Sequence, residues 1–251
     1  MWYMPYRRVR QAVLVYGYII VGLTLAAIAL RFWPGAVHMG PGENMIHIVA
    51  PAFVVAAAAF VGGFATVLGL NLAAENDGHL EVAWTKPVSR EGYALGVFAV
   101  DIAAMAVCII FTAICAIVVV DVYAGYQAVA LGSGAEVVRM FAFCGLPLCV
   151  YAWIAAGSAS LKRNRGVVAG LFWPIMIVLG TLPLLPVPPI HALASVLNLF
   201  NPIALYSSTK SVAQGSMTYD PVAATWPYLW GWGVSALLLA AAVAQWRRLQ
   251  I

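Results

Sequence analysis

Apolar runs of about twenty residues recur along almost the whole chain. Each is long enough to cross a ~30 Å hydrocarbon core as a helix. Of the 251 residues, 64% are hydrophobic and 9% are charged, against roughly 25% charged in soluble domains. A water-soluble fold of this size has no interior large enough to hide that much apolar surface. The sequence therefore predicts an all-α polytopic membrane protein, with residues 1–251 forming a single transmembrane domain. Six spans are expected, at about 12–33, 46–72, 93–121, 137–161, 166–188 and 226–246. The four cysteines, Cys108, Cys115, Cys144 and Cys149, lie inside apolar runs and form no disulfide framework or metal-ligand spacing.

Positive charge sets the expected orientation. With the N-terminus inside, the inner side receives Arg7, Arg8, Arg10, Lys86, Arg90, Lys162, Arg163, Arg165, Arg247 and Arg248. The outer side receives Arg31, Arg139 and Lys210. Ten against three places both termini in the cytoplasm of a protein of the cell's inner or plasma membrane. The net charge of +4 is then a topology signal that calls for no nucleic-acid partner. The segment Trp2 to Arg10 reads as a basic, aromatic stub suited to the headgroup layer. A cleaved signal peptide fits poorly, because the following run is too long and ends at Arg31-Phe-Trp-Pro without a small-residue cleavage site.

The outer connections are short except the last, from about Leu184 to Thr225. Its apolar stretch, broken at Asn201-Pro202, is too short to span and predicts a re-entrant or interfacial helix followed by a turn. Close helix contacts are expected at Ala58, Gly62 and Thr66, and at Gly166 and Gly170, where small residues repeat every four positions.

Asp101 is the acidic residue set well inside a span, about two turns from the inner end of the third helix. An ionised carboxylate at mid-bilayer costs roughly 2.5–3.5 kcal/mol on insertion scales, so it should face protein or water. Asp101, Met105, Cys108, Thr112 and Cys115 share one helical face. Two readings follow. Asp101 is a polar or proton-linked point on a transport pathway, or a carboxylate hydrogen-bonded to neighbouring helices.

Between the second and third spans lies a polar island, residues 74–91, in which Asp77-Gly78 signals a turn or helix start. Leu80, Val82 and Trp84 beside Glu81 and Lys86 suit a short helix on the membrane surface. Pro87 stops that helix, Ser89 caps the third span, and Glu91 sits in its first turn, where the helix dipole favours negative charge. The series Glu75-Asn-Asp-Gly78-His-Leu80-Glu81, followed by Pro87-Val88-Ser89-Arg90 and a long helix, resembles the segment after the second transmembrane helix in ATP-binding-cassette permeases of the type-2 export class. Their pattern there is an acidic residue, Gly-Thr-Leu-Glu, a short apolar helix and Pro-Val-Ser-Arg. This chain carries His79 in place of the Thr, and Gly96-Val97 in place of a Gly-Lys pair.

The resemblance implies a permease subunit whose segment 74–91 is a cytoplasmic coupling helix, with Glu75, Gly78, Leu80, Glu81, Pro87, Val88, Ser89 and Arg90 docking on a separate ATP-binding subunit. It implies a second permease subunit, identical or related, and the surrounding membrane lipids as partners. ATP and Mg would be bound by the partner ATPase, and this chain would hold no cofactor and no catalytic residues. Consistent with that, its three lysines follow Thr85, Leu161 and Thr209, so no Gly-Lys-Ser/Thr phosphate loop exists. Rival classes are a gradient-driven carrier, a membrane enzyme, and the membrane-anchor subunit of a redox or metal-handling complex. Intramembrane charges are sparse for a carrier, and no His-x-x-x-His pair supports an enzyme or haem site. His38, His47 and His191 with Met39 and Met45 are outer-side residues without a metal-binding spacing.

Overall fold

A computed structural model describes residues 3–32, 48–78, 90–124, 129–130, 133–160, 166–184, 188–206 and 221–248. Helices dominate. They are α1 (Tyr3–Arg31), α2 (Ala50–Gly78), α3 (Arg90–Ala124), α4 (Gly134–Phe143), α5 (Gly145–Ser160), α6 (Gly166–Thr181), α7 (Pro188–Asn198), α8 (Pro202–Tyr206) and α9 (Pro221–Arg248), with a 3-10 turn at Leu182–Leu184. Strands β1 (Ile48–Val49) and β2 (Val129–Ala130) form a two-residue parallel pair, Ile48 beside Val129. Each strand precedes a helix, so the pair ties the starts of α2 and α4 to one end of the bundle.

Five helical segments among the described residues are long and apolar enough to cross a membrane: Tyr6–Arg31, Pro51–Leu70, Glu91–Tyr123, Gly134–Ala159 and Thr225–Gln245. The expected fifth span is shorter. Its helix, Gly166–Thr181, has 16 residues and contains Pro174, and the 3-10 turn extends it. Contacts fix the relative directions. Arg8, Tyr16 and Ala27 of α1 meet Asp101, Thr112 and Tyr123 of α3 in order, so these two helices run parallel. Gly62 and Gly69 of α2 lie beside Leu146 and Ile154, so α2 runs parallel to α5. Thr66 and Leu70 meet Trp173 and Gly166 in reverse order, so α6 runs antiparallel to α2. The chain therefore passes up and down alternately through its first five passes.

The core lies where α2 crosses α3 and α5. On α2 the fully buried residues are Ala58, Val61, Ala65, Leu68 and Leu72, an alternation of three and four that makes one continuous seam. The opposing α5 buries Val150, Tyr151, Ile154 and Ala155. A Cβ added at Gly69 would stand 2.5 Å from Cγ2 of Ile154, and one at Gly157 would stand 2.6 Å from Cγ1 of Val168. These two glycines let aliphatic side chains of α5 and α6 close in, and Gly145 and Gly231 do the same for the Tyr206 hydroxyl. Of the pairs expected from sequence, Gly62 and Gly166 do face neighbours, Leu146 and Leu70 respectively, while Gly170 meets nothing within 4 Å. Small residues permit contact, but the partner surface decides which of them are used.

The fourth pass is broken at Cys144. Pro147 has no N–H to give the carbonyl of Phe143 and its ring crowds that carbonyl, which separates α4 from α5. The neighbouring Ala142 carbonyl accepts from Trp232 Nε1 at 2.9 Å. The pass starts three residues before the expected position, because Ser133 and Glu136 form a reciprocal capping box. Ser133-Gly-Ala-Glu136 carries that signal in plain view. Two other boundaries also move. α1 begins at Tyr3, so the basic stub is helical. α2 continues to Gly78, so Asp77-Gly78 ends a helix instead of opening one.

Candidate functional site

Two regions were singled out by sequence. Of the coupling segment, Glu75 and Gly78 fall in the last turn of α2, and Arg90 opens α3 with Glu91 in its first turn. Leu80, Glu81, Pro87, Val88 and Ser89 lie outside the described residues. Residues 79–89 join two continuous helices of 29 and 35 residues. Val97, where the resembling family carries Lys, is fully buried.

Asp101 is fully buried. Counting from Arg90, it lies eleven residues into α3, about 16 Å or three turns along the axis. Its Oδ1 accepts from Arg8 Nη2 of α1 at 2.5 Å, and its Oδ2 accepts from the Tyr151 hydroxyl of α5 at 2.5 Å. The Arg8 side chain is 13% exposed. Phe98, one turn before Asp101, sets its ring edge-on to Tyr151, with centroids 6.1 Å apart. One carboxylate thus joins three helices through two strong donors, in surroundings where water does not compete.

Arg8 is therefore not a headgroup residue, as the basic stub suggested. It turns inward, because a buried carboxylate needs a counter-charge and α1 is the nearest element with one. The expected face of α3 is buried over most of its length: Met105, Cys108 and Thr112 follow Asp101 inward, while Cys115 at its far end is half-buried. Against it α1 lays a polar ladder. Above the ion pair, Tyr16 shares a 2.7 Å hydrogen bond with Thr112, and further along the Tyr123 hydroxyl donates to the Ala27 carbonyl at 2.7 Å. Arg31 sits over the Tyr123 ring at 5.9 Å. Most of the rest of α1 is exposed apolar surface, so this ladder, with the buried Val9 and Ile20, is what holds it.

The segment after α6 has its own polar anchor. Helix α7 turns back along α6, and Asn198 Nδ2 donates to the Leu179 carbonyl at 3.1 Å. That carbonyl needs an outside donor because Pro183, four residues on, has no N–H. Asn201, also buried, donates to the Met176 carbonyl at 2.9 Å and accepts from the Ile203 amide at 3.0 Å. The carbonyls of Leu199 and Phe200, orphaned at the end of α7, accept from Trp230 and Trp153 Nε1 at 2.8 and 2.7 Å. The tip thus docks on carbonyls inside the last turns of α6. The short helix expected before Asn201-Pro202 is present as α7, folded back against α6.

Among the described residues, no three His, Cys, Asp or Glu side chains come together as a metal site. His191 is exposed on α7, while His38, His47, Met39 and Met45 lie outside the described residues.

Fold and site together define a class: an all-helical bundle with several helices suited to a membrane, cross-linked internally by one buried ion pair. Compared with protein-family models and with curated proteins, the chain matches none.

Proposed function

We propose that this chain is the permease subunit of an ATP-driven exporter, paired with a second permease subunit and powered by separate cytoplasmic ATP-binding subunits. The observation that carries the reading is the ordered pair Gly78-His-Leu80-Glu81 and Pro87-Val-Ser-Arg90, held between the ends of two long helices. A coupling helix at residues 79–89, as the resemblance implies, would pass the push of a docked ATPase to both α2 and α3, and through Asp101 of α3 to the ion-paired α1 and the hydrogen-bonded α5. The re-entrant α6–α7 pair, at the end of the bundle away from that segment, suits a closure on the far side of the pathway. The ten-to-three excess of cationic residues then orients the coupling segment to the cytoplasm of the plasma or inner membrane.

The test is a tagged purification in mild detergent with ATPase activity measured on the eluate. The expected result is a stoichiometric ATP-binding protein that is lost on Leu80→Asp or Glu81→Lys, while the chain itself stays inserted. A chain that purifies without any nucleotide-binding partner, or binds one equally well after both substitutions, overturns the reading in favour of a gradient-driven carrier or a membrane anchor.

A further inference from the structure

Charge along α1 and α3 marks where a bilayer ends. Residues 102–120 of α3 carry no charge and are bracketed by Asp101 and Asp121. As a helix they span about 28 Å, close to the ~30 Å of a hydrocarbon core. Residues 11–30 of α1, between Arg10 and Arg31, form a second charge-free run of about 30 Å. The ladder from Arg8–Asp101 to Arg31–Tyr123 holds the two runs side by side. Tyr16 and Thr112, bonded to each other, fall within about one turn of their middles.

Contacts carry that level across to α7. Phe64 of α2 packs on the Tyr16 ring, with centroids 4.7 Å apart. Leu70, about 9 Å further along α2, meets Gly166 at the start of α6. Met176 lies about 15 Å back along the antiparallel α6. Its carbonyl, and Asn201 bonded to it, therefore stand about 6 Å from the middle, in the half remote from the N-terminus of α1. The Thr66–Trp173 bond gives the same level to within about one turn. With ~15 Å of hydrocarbon on each side, the end of α7 lies inside it, entering from that remote face.

Two further observations name what covers it. The Leu199 and Phe200 carbonyls take indole donors although both bonds lie at the molecular surface, where bulk water would otherwise serve them. Ser195, Asn198 and Asn201 also spend donors within the chain, the Ser195 hydroxyl on the His191 carbonyl at 2.8 Å. Internal satisfaction of this kind is what a segment needs where water is absent. The outward side chains beside these groups are apolar: Leu193, Val196, Leu197 and Phe200 are 39–62% exposed. They continue the exposed strip of Leu171, Ile175 and Val178 on α6, which share one face at i, i+4 and i+7.

We propose that acyl chains of the remote leaflet cover this face, so that α7 dips into the hydrocarbon with its tip near mid-depth. The assignment is independent of the transport reading, since it needs only the bundle and a bilayer.

Nitroxide labels on the chain reconstituted in phosphatidylcholine bilayers test it, at Leu197→Cys and Leu193→Cys. Ile110→Cys, on the outward face of α3, serves as the hydrocarbon reference. The unsubstituted chain, labelled in parallel, supplies the background of its four cysteines. At Leu197→Cys, broadening by dissolved oxygen should match the reference and broadening by an aqueous nickel chelate should be lost. At Leu193→Cys, about 6 Å nearer the remote face, the ratio of oxygen to nickel broadening should be lower. Val196→Cys replaces Leu197→Cys if that variant does not fold. Nickel broadening at Leu197→Cys puts the helix in water or among headgroups. Protection from both reagents there means that a second copy or another protein covers the face. A ratio that rises toward Leu193 reverses the direction of entry. Each of the three overturns the proposal.

Discussion

Removing one partner of the Arg8–Asp101 pair should destabilise the bundle far more than removing both. With the nitrogen and oxygen 2.5 Å apart, the charge centres are about 4 Å apart, worth about 4 kcal/mol at an effective dielectric of ~20. The desolvation of both groups offsets much of that, so the pair adds little net stability, yet breaking it strands a charge where water cannot follow. Asp101→Asn keeps a carbonyl oxygen for the Tyr151 hydroxyl and removes only the counter-charge. It should cost about 3–5 kcal/mol. Arg8→Gln should cost a similar amount, since it leaves a fully buried carboxylate. The double variant should cost less than either single variant, falling short of their sum by more than about 3–5 kcal/mol, because neither stranded charge remains. Reversible unfolding in mixed micelles, followed by tryptophan fluorescence, reads all four proteins. Additivity within about 0.5 kcal/mol would refute the claim that these two residues form one unit.

Other substitutions probe the packing and the α7–α8 tip. Gly69→Ala drives a methyl into Ile154, a fully buried side chain, and should cost about 1–3 kcal/mol. Gly63→Ala, with nothing within 4 Å, should stabilise α2 by up to about 1 kcal/mol; the same unfolding assay compares them. Asn201→Leu removes the donor to Met176 and the acceptor for Ile203, and hydrogen exchange should then rise in α7 and α8 while α2 and α5 remain protected. Tyr206→Phe removes a hydroxyl lodged between Gly145 and Gly231 and its bond to the Tyr228 carbonyl. It should cost about 0.5–1.5 kcal/mol with the Phe143 and Tyr228 ring contacts kept.

The helical passes were legible because a membrane span is a local property: an apolar run of sufficient length must satisfy its own backbone, whatever lies beside it. The same locality exposed the buried face of α3, since Asp101, Met105, Cys108 and Thr112 share a face by periodicity alone. Boundaries were less legible where a polar residue had two uses. Asp77-Gly78 opens a turn or closes a helix, and only the continuation of α2 distinguishes them. The Ser133–Glu136 box could have been read from spacing.

Partners were another matter. Nothing in the sequence joins Asp101 to Tyr151, fifty residues away, or selects Arg8 over Arg7 and Arg10. In hindsight Arg8, Tyr16 and Arg31 marked a polar face along α1, but the height of that face against α3 was still open. Sequence by itself determined the helical class, the presence of several apolar passes and the need for Asp101 to face protein or water, because each follows from transfer free energies along a single segment. The tertiary structure decided that Arg8 and Tyr151 meet Asp101, which glycines have side chains pressed against them, and where α7 turns back on α6. Those outcomes depend on how helices are rotated and staggered against one another, and a rotation that costs one helix nothing in lipid is settled only by the surface it meets.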